Sequence, residues 1–317
     1  NGQSAWDPPF TLADTPNLPD CNPVLFIDPK ERLWLFRIAV IANEWQHSLL
    51  RTLISTDYQK SGPPTWTWQD ALILTPGEEF PETIKQAFQS LNLSEPAANY
   101  VPKYSEALVT AASDKLKRQT GWMTRIRPRV LDSGRILLPL YSDGFKLSLM
   151  ALSDDGGETW RPSLPIVGLG PIQPAVAIKK DGTLVAYLRD SGPAPKRILR
   201  AESKDQGMTW SPAIDTEIPN PGSSVDVLTL RNGRWVMVHN NAEEKRYNLR
   251  VALSEDEGAT WKWERYLGDS EKEWFAYPCI LEGADGRIHV SYSHTQDNKK
   301  SIRHDTFNED WIREEDK

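Results

Sequence analysis

The sequence predicts an all-β fold, a β-propeller of four-stranded antiparallel blades carrying one helical insertion. Three observations carry this. The strings SDDGGETW (Ser153 to Trp160), SKDQGMTW (Ser203 to Trp210) and SEDEGATW (Ser254 to Trp261) share the pattern S-x-D-x-G-x-T-W and begin 50 and 51 residues apart. A period of that size marks a unit that cannot bury its own apolar faces and must stack on its neighbours. Ahead of each string lies an apolar run, a turn and a second apolar run, the pattern of a β-hairpin. Finally, 24 prolines, 19 glycines and 13 tryptophans among 317 residues suit many short strands joined by tight turns.

In order, the first unit spans residues 21–75, with PVLFIDPKERLWLF from Pro23 and a degraded box, Ser55-Thr56-Asp57 followed by Thr65-Trp66. Residues 78–119 interrupt the repeat. There, Phe80 to Leu91 has a proline near its start and Tyr104 to Gln119 is rich in good helix formers, so both read as helices. The second unit, 121–168, carries PRVLDSGRILLPLY from Pro128; the third, 171–217, carries PAVAIKKDGTLVAYL from Pro174. The fourth, 222–270, carries VDVLTLRNGRWVMVH from Val225, and the fifth, 275–308, carries PCILEGADGRIHVSY from Pro278. The fifth stops after three strands. Its fourth is expected from the N-terminus, where Trp6-Asp7-Pro8 reads as the start of a strand; that closure would remove two exposed sheet edges. The whole, 1–317, reads as one domain with 78–119 inserted.

Within a blade the box joins the third and fourth strands. Its Ser and Asp suit hydrogen bonds to the turn backbone, its Gly supplies a conformation other residues resist, and its Trp packs between blades. That is a structural role.

Bulk properties exclude several classes. A net charge of −7 without a basic run offers nucleic acid no footprint. No stretch approaches 18 apolar residues, so no membrane span is expected. Cys21 and Cys279 are two free thiols, or a bridge between first and last units. No H-E-x-x-H, paired cysteines or EF-hand loop appears, so no metal or other cofactor is expected. Asn92-Leu93-Ser94 is a lone sequon without weight. The oligomeric state is left open. The abrupt start at Asn1 shows no signal peptide, and a secreted or periplasmic location is favoured over a cytoplasmic one.

Propeller topology then sorts the polar residues. Connections from blade to blade, and from the second strand to the third, share the face opposite the boxes. Functional residues belong at first-strand entries or second-strand exits. The entries are Asn22, Arg125 with Arg127, Gln173, Ser223 with Asp226, and Glu273 with Tyr277. The exits are Arg37, Tyr141 with Asp143, Arg189 with Asp190, His239 with Asn240, and Tyr292 with His294. Such a ring of arginines and carboxylates suits a substrate anion, because guanidinium forks bind carboxylates bidentately.

The S-x-D-x-G-x-T-W box, known as the Asp-box or BNR repeat, and the blade pattern around it resemble the sialidase (neuraminidase) superfamily, closest to the bacterial predicted-neuraminidase branch. The resemblance covers nearly all of the chain outside 78–119 and implies a sialidase-like β-propeller, six-bladed where five units are visible here. It further implies an exo-acting glycoside hydrolase on a terminal acidic sugar of an oligosaccharide or glycoconjugate. In that family a glutamate activates a tyrosine nucleophile, an aspartate gives acid/base help and three arginines hold the carboxylate. Tyr277, in FAYPCILEGADGRIHVSY, occupies the nucleophile's position. The chain departs from the pattern elsewhere. Where the glutamate is expected stand Ser223, Ser224 and Asp226; where an arginine is expected stands His239-Asn240. The acid/base aspartate and first arginine belong to a blade not visible in this sequence.

On that basis Tyr277, Asp226, Asp143 and Asp190 are the catalytic candidates. Tyr277 is nucleophile, Asp226 its activator, and Asp143 or Asp190 the acid/base. Arg125, Arg127, Arg189, Gln173, Arg37, Asn240 and His294 are the substrate-binding candidates. Two alternatives stand beside this. A polysaccharide lyase acting at a uronate would use Tyr277 with His294, His47 or His239 as base and arginines to stabilise the enediolate. A glycan-binding propeller would use the same face without turnover.

Overall fold

The computed structural model describes residues 8–91 and 97–314. Blade 1 is a sheet of β1 (Asp20–Ile27), β2 (Leu33–Ala39), β3 (Leu49–Ser55) and β4 (Trp68–Ala71). In blade 2, β5 (Trp122–Met123) and β6 (Arg129–Val130) together edge β7 (Ile136–Ser142), followed by β8 (Leu147–Ser153) and β9 (Arg161–Pro162). Blade 3 holds β10 (Pro171–Ile178), β11 (Leu184–Asp190), β12 (Arg197–Ser203) and β13 (Ile214–Pro219). Blade 4 holds β14 (Asp226–Thr229), β15 (Trp235–His239), β16 (Asn248–Ser254) and β17 (Trp263–Asp269). Blade 5 has β18 (Glu273–Glu282), β19 (Ile288–Gln296) and β20 (Lys299–Phe307). All pairings are antiparallel and the blades form a β-propeller.

Apolar layers sit between successive blades. Trp34, Phe36 and Ile38 meet Leu138, Leu140 and Leu149 between blades 1 and 2. Leu137, Met150 and Leu152 meet Val176, Ala186 and Leu199 between blades 2 and 3. Tyr187 and Val185 meet Val227, Trp235 and Met237 between blades 3 and 4. Val236, Val238 and Val251 meet Phe275, Ile280 and Tyr292 between blades 4 and 5. Strands such as β7, β8 and β15 are therefore buried on both faces. By contrast, β19 alternates buried with half-buried residues and β20 is largely exposed, while Leu25 and Ile27 of β1 are more than half exposed. Among the described residues no corresponding layer joins blade 5 to blade 1. The expected closing strand at Trp6-Asp7 lies outside the described residues, as does the sequon at Asn92-Leu93-Ser94; Pro8 is in no strand.

The boxes do what their composition demands. In blade 2, Ser153 Oγ donates to Asp155 Oδ1 at 2.8 Å and accepts from Gly157 N at 2.7 Å, while Thr159 Oγ1 donates to Asp155 Oδ2 at 2.6 Å. The same bonds recur at Ser203-Asp205-Thr209 and Ser254-Asp256-Thr260. The degraded box keeps Ser55 Oγ to Asp57 at 2.8 Å and Thr65 N to Asp57 at 2.8 Å. The glycine of the blade 3 box has a second duty the sequence does not advertise. Gly207 has φ +84°, and a Cβ there would overlap Leu137 Cδ1 of the preceding blade. Gly207→Ala is expected to cost about 1–3 kcal/mol from overpacking, with backbone strain added. A urea-denaturation midpoint unchanged from the parent would refute this.

The insertion forms α1 (Phe80–Ser90), α2 (Ala97–Ala112) and α3 (Lys115–Gln119). The second expected helix is thus longer at its start and divided near its end. Asp114 divides it: extended itself, it accepts from Leu116 N at 2.9 Å and Lys117 N at 3.4 Å and so caps a new helix. Phe80, Ile84 and Phe88 form one buried face of α1, and Phe80 stacks edge-on against Trp122 and Phe145 of blade 2. No helix among the described residues is long and apolar enough to cross a membrane. Cys21 and Cys279 are free, the former half-buried and the latter exposed.

Candidate functional site

Three first strands share one irregularity. Register shifts fall between Cys21 and Val24 in β1, Ile172 and Ala175 in β10, and Ala276 and Cys279 in β18. The residues involved are Asn22-Pro23, Gln173-Pro174 and Tyr277-Pro278. Asn22, Gln173 and Tyr277 have φ of 48°, 54° and 58°. Proline gives no N–H to the ladder, and a left-handed residue before it is strained by roughly 1–3 kcal/mol. A bulge re-aims the side chain it carries. The sequence recorded these sites as an X-Pro at each entry.

Around Tyr277 gather cations. The guanidinium carbons of Arg125 and Arg246 lie 5.1 and 5.2 Å from its ring centroid. Trp274 meets the ring edge-on at 6.0 Å and itself carries Arg246 at 5.4 Å. Backbone carbonyls hold two of these arginines in place. Arg125 Nη2 donates to Pro278 O at 2.8 Å, and Arg246 Nη2 donates to Gly222 O at 2.6 Å. Arg189, at the end of β11, adds its charge to the same phenol. Burial draws Arg125 and Arg189 below the usual guanidinium range, and at Arg189 the neighbouring Arg246 charge adds to this. Among the described residues none of the three forms an ion pair. Three guanidiniums outside any ion pair form a ready receptor for an anion.

Burial pushes the Tyr277 phenol up. The Arg246 hydrogen bond and the charges of Arg246, Arg189 and Arg125 outweigh it, and the net shift is downward from the ordinary value of 10.0. Arg246→Met should therefore raise the tyrosinate transition that Tyr277→Phe abolishes. Ultraviolet difference titration reads both, and an unmoved transition would separate Arg246 from the phenol.

Asn22 Nδ2 donates to the Tyr141 hydroxyl at 3.0 Å, and the Gln173 side chain and the Asp143 charge act on it. Asp143 also lies in the field of Arg189, with Lys146 Nζ 3.8 Å away. Tyr277, Arg125, Arg189, Gln173 and Asp143 are thus brought into one constellation.

The other candidates are engaged elsewhere. Arg127 Nη1 pairs with Asp226 Oδ2 at 2.6 Å, and the same oxygen accepts from Ile280 N at 2.9 Å. Both bonds of Asp226 therefore go to packing. Arg37 pairs with Asp20 in blade 1. Asp190 accepts from Gly192 N at 2.7 Å and Arg197 N at 3.1 Å; burial raises its carboxyl to about 6 despite those bonds. Asn240 donates to Asn248 O and Phe275 O. His294 Nε2 meets Glu273 Oε2 at 2.7 Å. His239 is buried and lowered to about 4 by desolvation, while exposed His47 pairs with Glu44 at 3.3 Å.

Sequence reasoning missed Arg246 and Trp274. Arg246 lies in the β15–β16 connection, on the face already assigned to function, inside the run AEEKRYN, where a charged loop reads as solvated surface. Trp274 stands beside two entry residues that were singled out.

Over residues 1–126 and 115–290 the chain matches the BNR repeat-like domain. It is 26% identical over 181 residues to the anhydrosialidase of Macrobdella decora, an alignment covering 51% of this chain and 23% of that protein. The chain thus spans less than a quarter of that relative's length. Similar solved structures include a protein of unknown function from Dyadobacter fermentans, with a TM-score of 0.63 at 17% identity over 93% of this chain and 78% of the other. The NanB sialidase of Streptococcus pneumoniae gives 0.59 at 17%, over 84% and 36%. The intramolecular trans-sialidase of Ruminococcus gnavus gives 0.59 at 17%, over 95% and 60%. At such identities these structures speak for the fold alone.

Proposed function

The chain belongs to the BNR repeat-like family of the sialidase superfamily, and from that premise we propose that it is an exo-acting glycoside hydrolase on a terminal acidic sugar. The observation that carries this reading is the set of three unpaired arginines, Arg125, Arg189 and Arg246, around Tyr277. A sugar carboxylate supplies the missing anion and brings its anomeric carbon to the phenol. A neutral or cation-supported nucleophile suits an anionic sugar better than a carboxylate would, because it adds no like-charge repulsion. The Asp143 charge acts on Arg189, and we assign Asp143 the water-activating role. Asp226 we assign to the scaffold.

One observation favours a second reading. Arginines rather than a carboxylate tune Tyr277, and a tyrosinate among cations also suits proton abstraction next to a uronate carboxylate. A panel of sialosides and uronides separates the two. Released sugar without new absorbance supports the hydrolase; a rise at about 235 nm, from an unsaturated product of elimination, supports the lyase. Binding of acidic glycans with no turnover leaves a glycan-binding propeller. Neither binding nor turnover would overturn the anion site itself.

A further inference from the structure

A second phenol shares the arginine field. Tyr141 lies near the end of β7, two residues before Asp143, and the charges of Arg125 and Arg189 act on it as they do on Tyr277. Its hydroxyl is held from both neighbouring blades. Asn22 Nδ2 donates to it from blade 1 at 3.0 Å, and the Gln173 side chain acts on it from blade 3.

Both holders are bulge residues at left-handed φ directly before a proline. Blades 1 and 3 therefore each retain backbone strain to aim an amide at one oxygen, and strain of this kind concentrates at functional sites. The Asn22 donor occupies one lone pair of the phenol oxygen, and the Gln173 amide stands beside it. They stabilise the phenolate more than the phenol, and they leave the O–H proton for an acceptor outside the pair. Burial meanwhile keeps the empty site's Tyr141 protonated, raising it above the ordinary value. A group that is protonated at rest, with its anion's stabilisers already in place, has the properties of a general acid.

We propose that Tyr141 is the proton donor to the leaving oxygen in the hydrolase reaction above, on which this inference rests. Tyr277 attacks as the tyrosinate and its oxygen forms the new bond to the anomeric carbon; as the glycosidic C–O bond breaks, its electron pair stays on the leaving oxygen and the Tyr141 O–H proton transfers to that oxygen. The phenolate left behind is held by the Asn22 and Gln173 amides. When water attacks the glycosyl-enzyme, the bond to the Tyr277 oxygen breaks with its electron pair left on that oxygen, Asp143 draws one proton from the water and hands it to the Tyr141 phenolate, and the new sugar hydroxyl keeps the other.

Leaving-group dependence tests this, because a nitrophenolate departs without a proton and a sugar alkoxide does not. The probes are the 4-nitrophenyl glycoside and the lactose-linked glycoside of N-acetylneuraminic acid, with glucuronic acid counterparts. Tyr141→Phe is expected to lose about 100-fold or more on the lactose-linked substrate and less than about tenfold on the nitrophenyl one. Asn22→Gly, which removes one donor and relaxes the left-handed site, should show the same selectivity at smaller size. Equal losses on both substrates, no loss on either, or the selective signature in Asp143→Asn instead would overturn the assignment. If Tyr277→Phe is inactive on both while Tyr141→Phe is unimpaired, only the role of Tyr141 falls. If the parent turns over neither substrate, the hydrolase reading falls and this role with it.

Discussion

Arg127→Met is expected to lower the stability of the fold by about 3–5 kcal/mol, the cost of leaving a buried charge without its partner. Asp226 is wholly buried, and its Oδ2 is shared between Arg127 at 2.6 Å and Ile280 N at 2.9 Å. Arg127 also donates to Val227 O at 3.1 Å. One ion pair therefore ties the entry of blade 2 to blades 4 and 5 across the channel. Arg129 strengthens the tie by donating to Val176 O at 2.7 Å and Val227 O at 2.8 Å. The double variant Arg127→Met, Asp226→Leu should recover most of the loss, since replacing both members of a buried pair is close to neutral. The remainder, about 1–3 kcal/mol, belongs to the orphaned Ile280 N–H. Urea denaturation of both variants measures these quantities. A single variant within about 1 kcal/mol of the parent would mean that the carboxylate is better solvated than its burial implies.

Tyr277→Phe should remove at least about 10³-fold of turnover while leaving acidic-glycan binding within a few-fold, the pattern of a group needed only in the transition state. The phenyl ring preserves the surfaces on which Arg125 and Arg246 lie, so the anion receptor stays assembled. Little stability should be lost, because the residue is 37% exposed. A melting temperature close to the parent's, together with lost activity, separates chemistry from folding. Retention of more than about a tenth of the turnover would move the reacting group elsewhere.

The fold was legible because its signals are local. Ser153, Asp155, Gly157 and Thr159 bond one another within seven residues, so their spacing is enough to declare the turn and, by repetition, the blade register. The division of the insertion at Asp114 was less visible, because a continuous run of helix formers conceals a cap that acts through two backbone N–H groups. The site divided in a similar way. Blade register alone groups Tyr277, Gln173 and Arg125, because it places every first-strand entry on one face. Arg246 was not, because its partners, Gly222 O and the Tyr277 ring, lie 24 and 31 residues away and nothing local distinguishes it from its charged neighbours. Sequence likewise grouped Arg125 with Arg127, two positions apart at one first-strand entry. One reaches the Tyr277 ring and the other a buried carboxylate.

By itself, then, the sequence determined the repeat, the blade units and the set of first-strand entries that includes Tyr277, all of which follow from short-range patterns repeated along the chain. Only the tertiary structure decided which charges face one another. It drew Asp226 into a buried pair with Arg127, left Arg125, Arg189 and Arg246 outside any ion pair among the described residues, and set the strained bulge residue Asn22 on the Tyr141 oxygen. The physical reason is that charge interactions depend on distance and burial between blades, and neither is written in spacing along the chain.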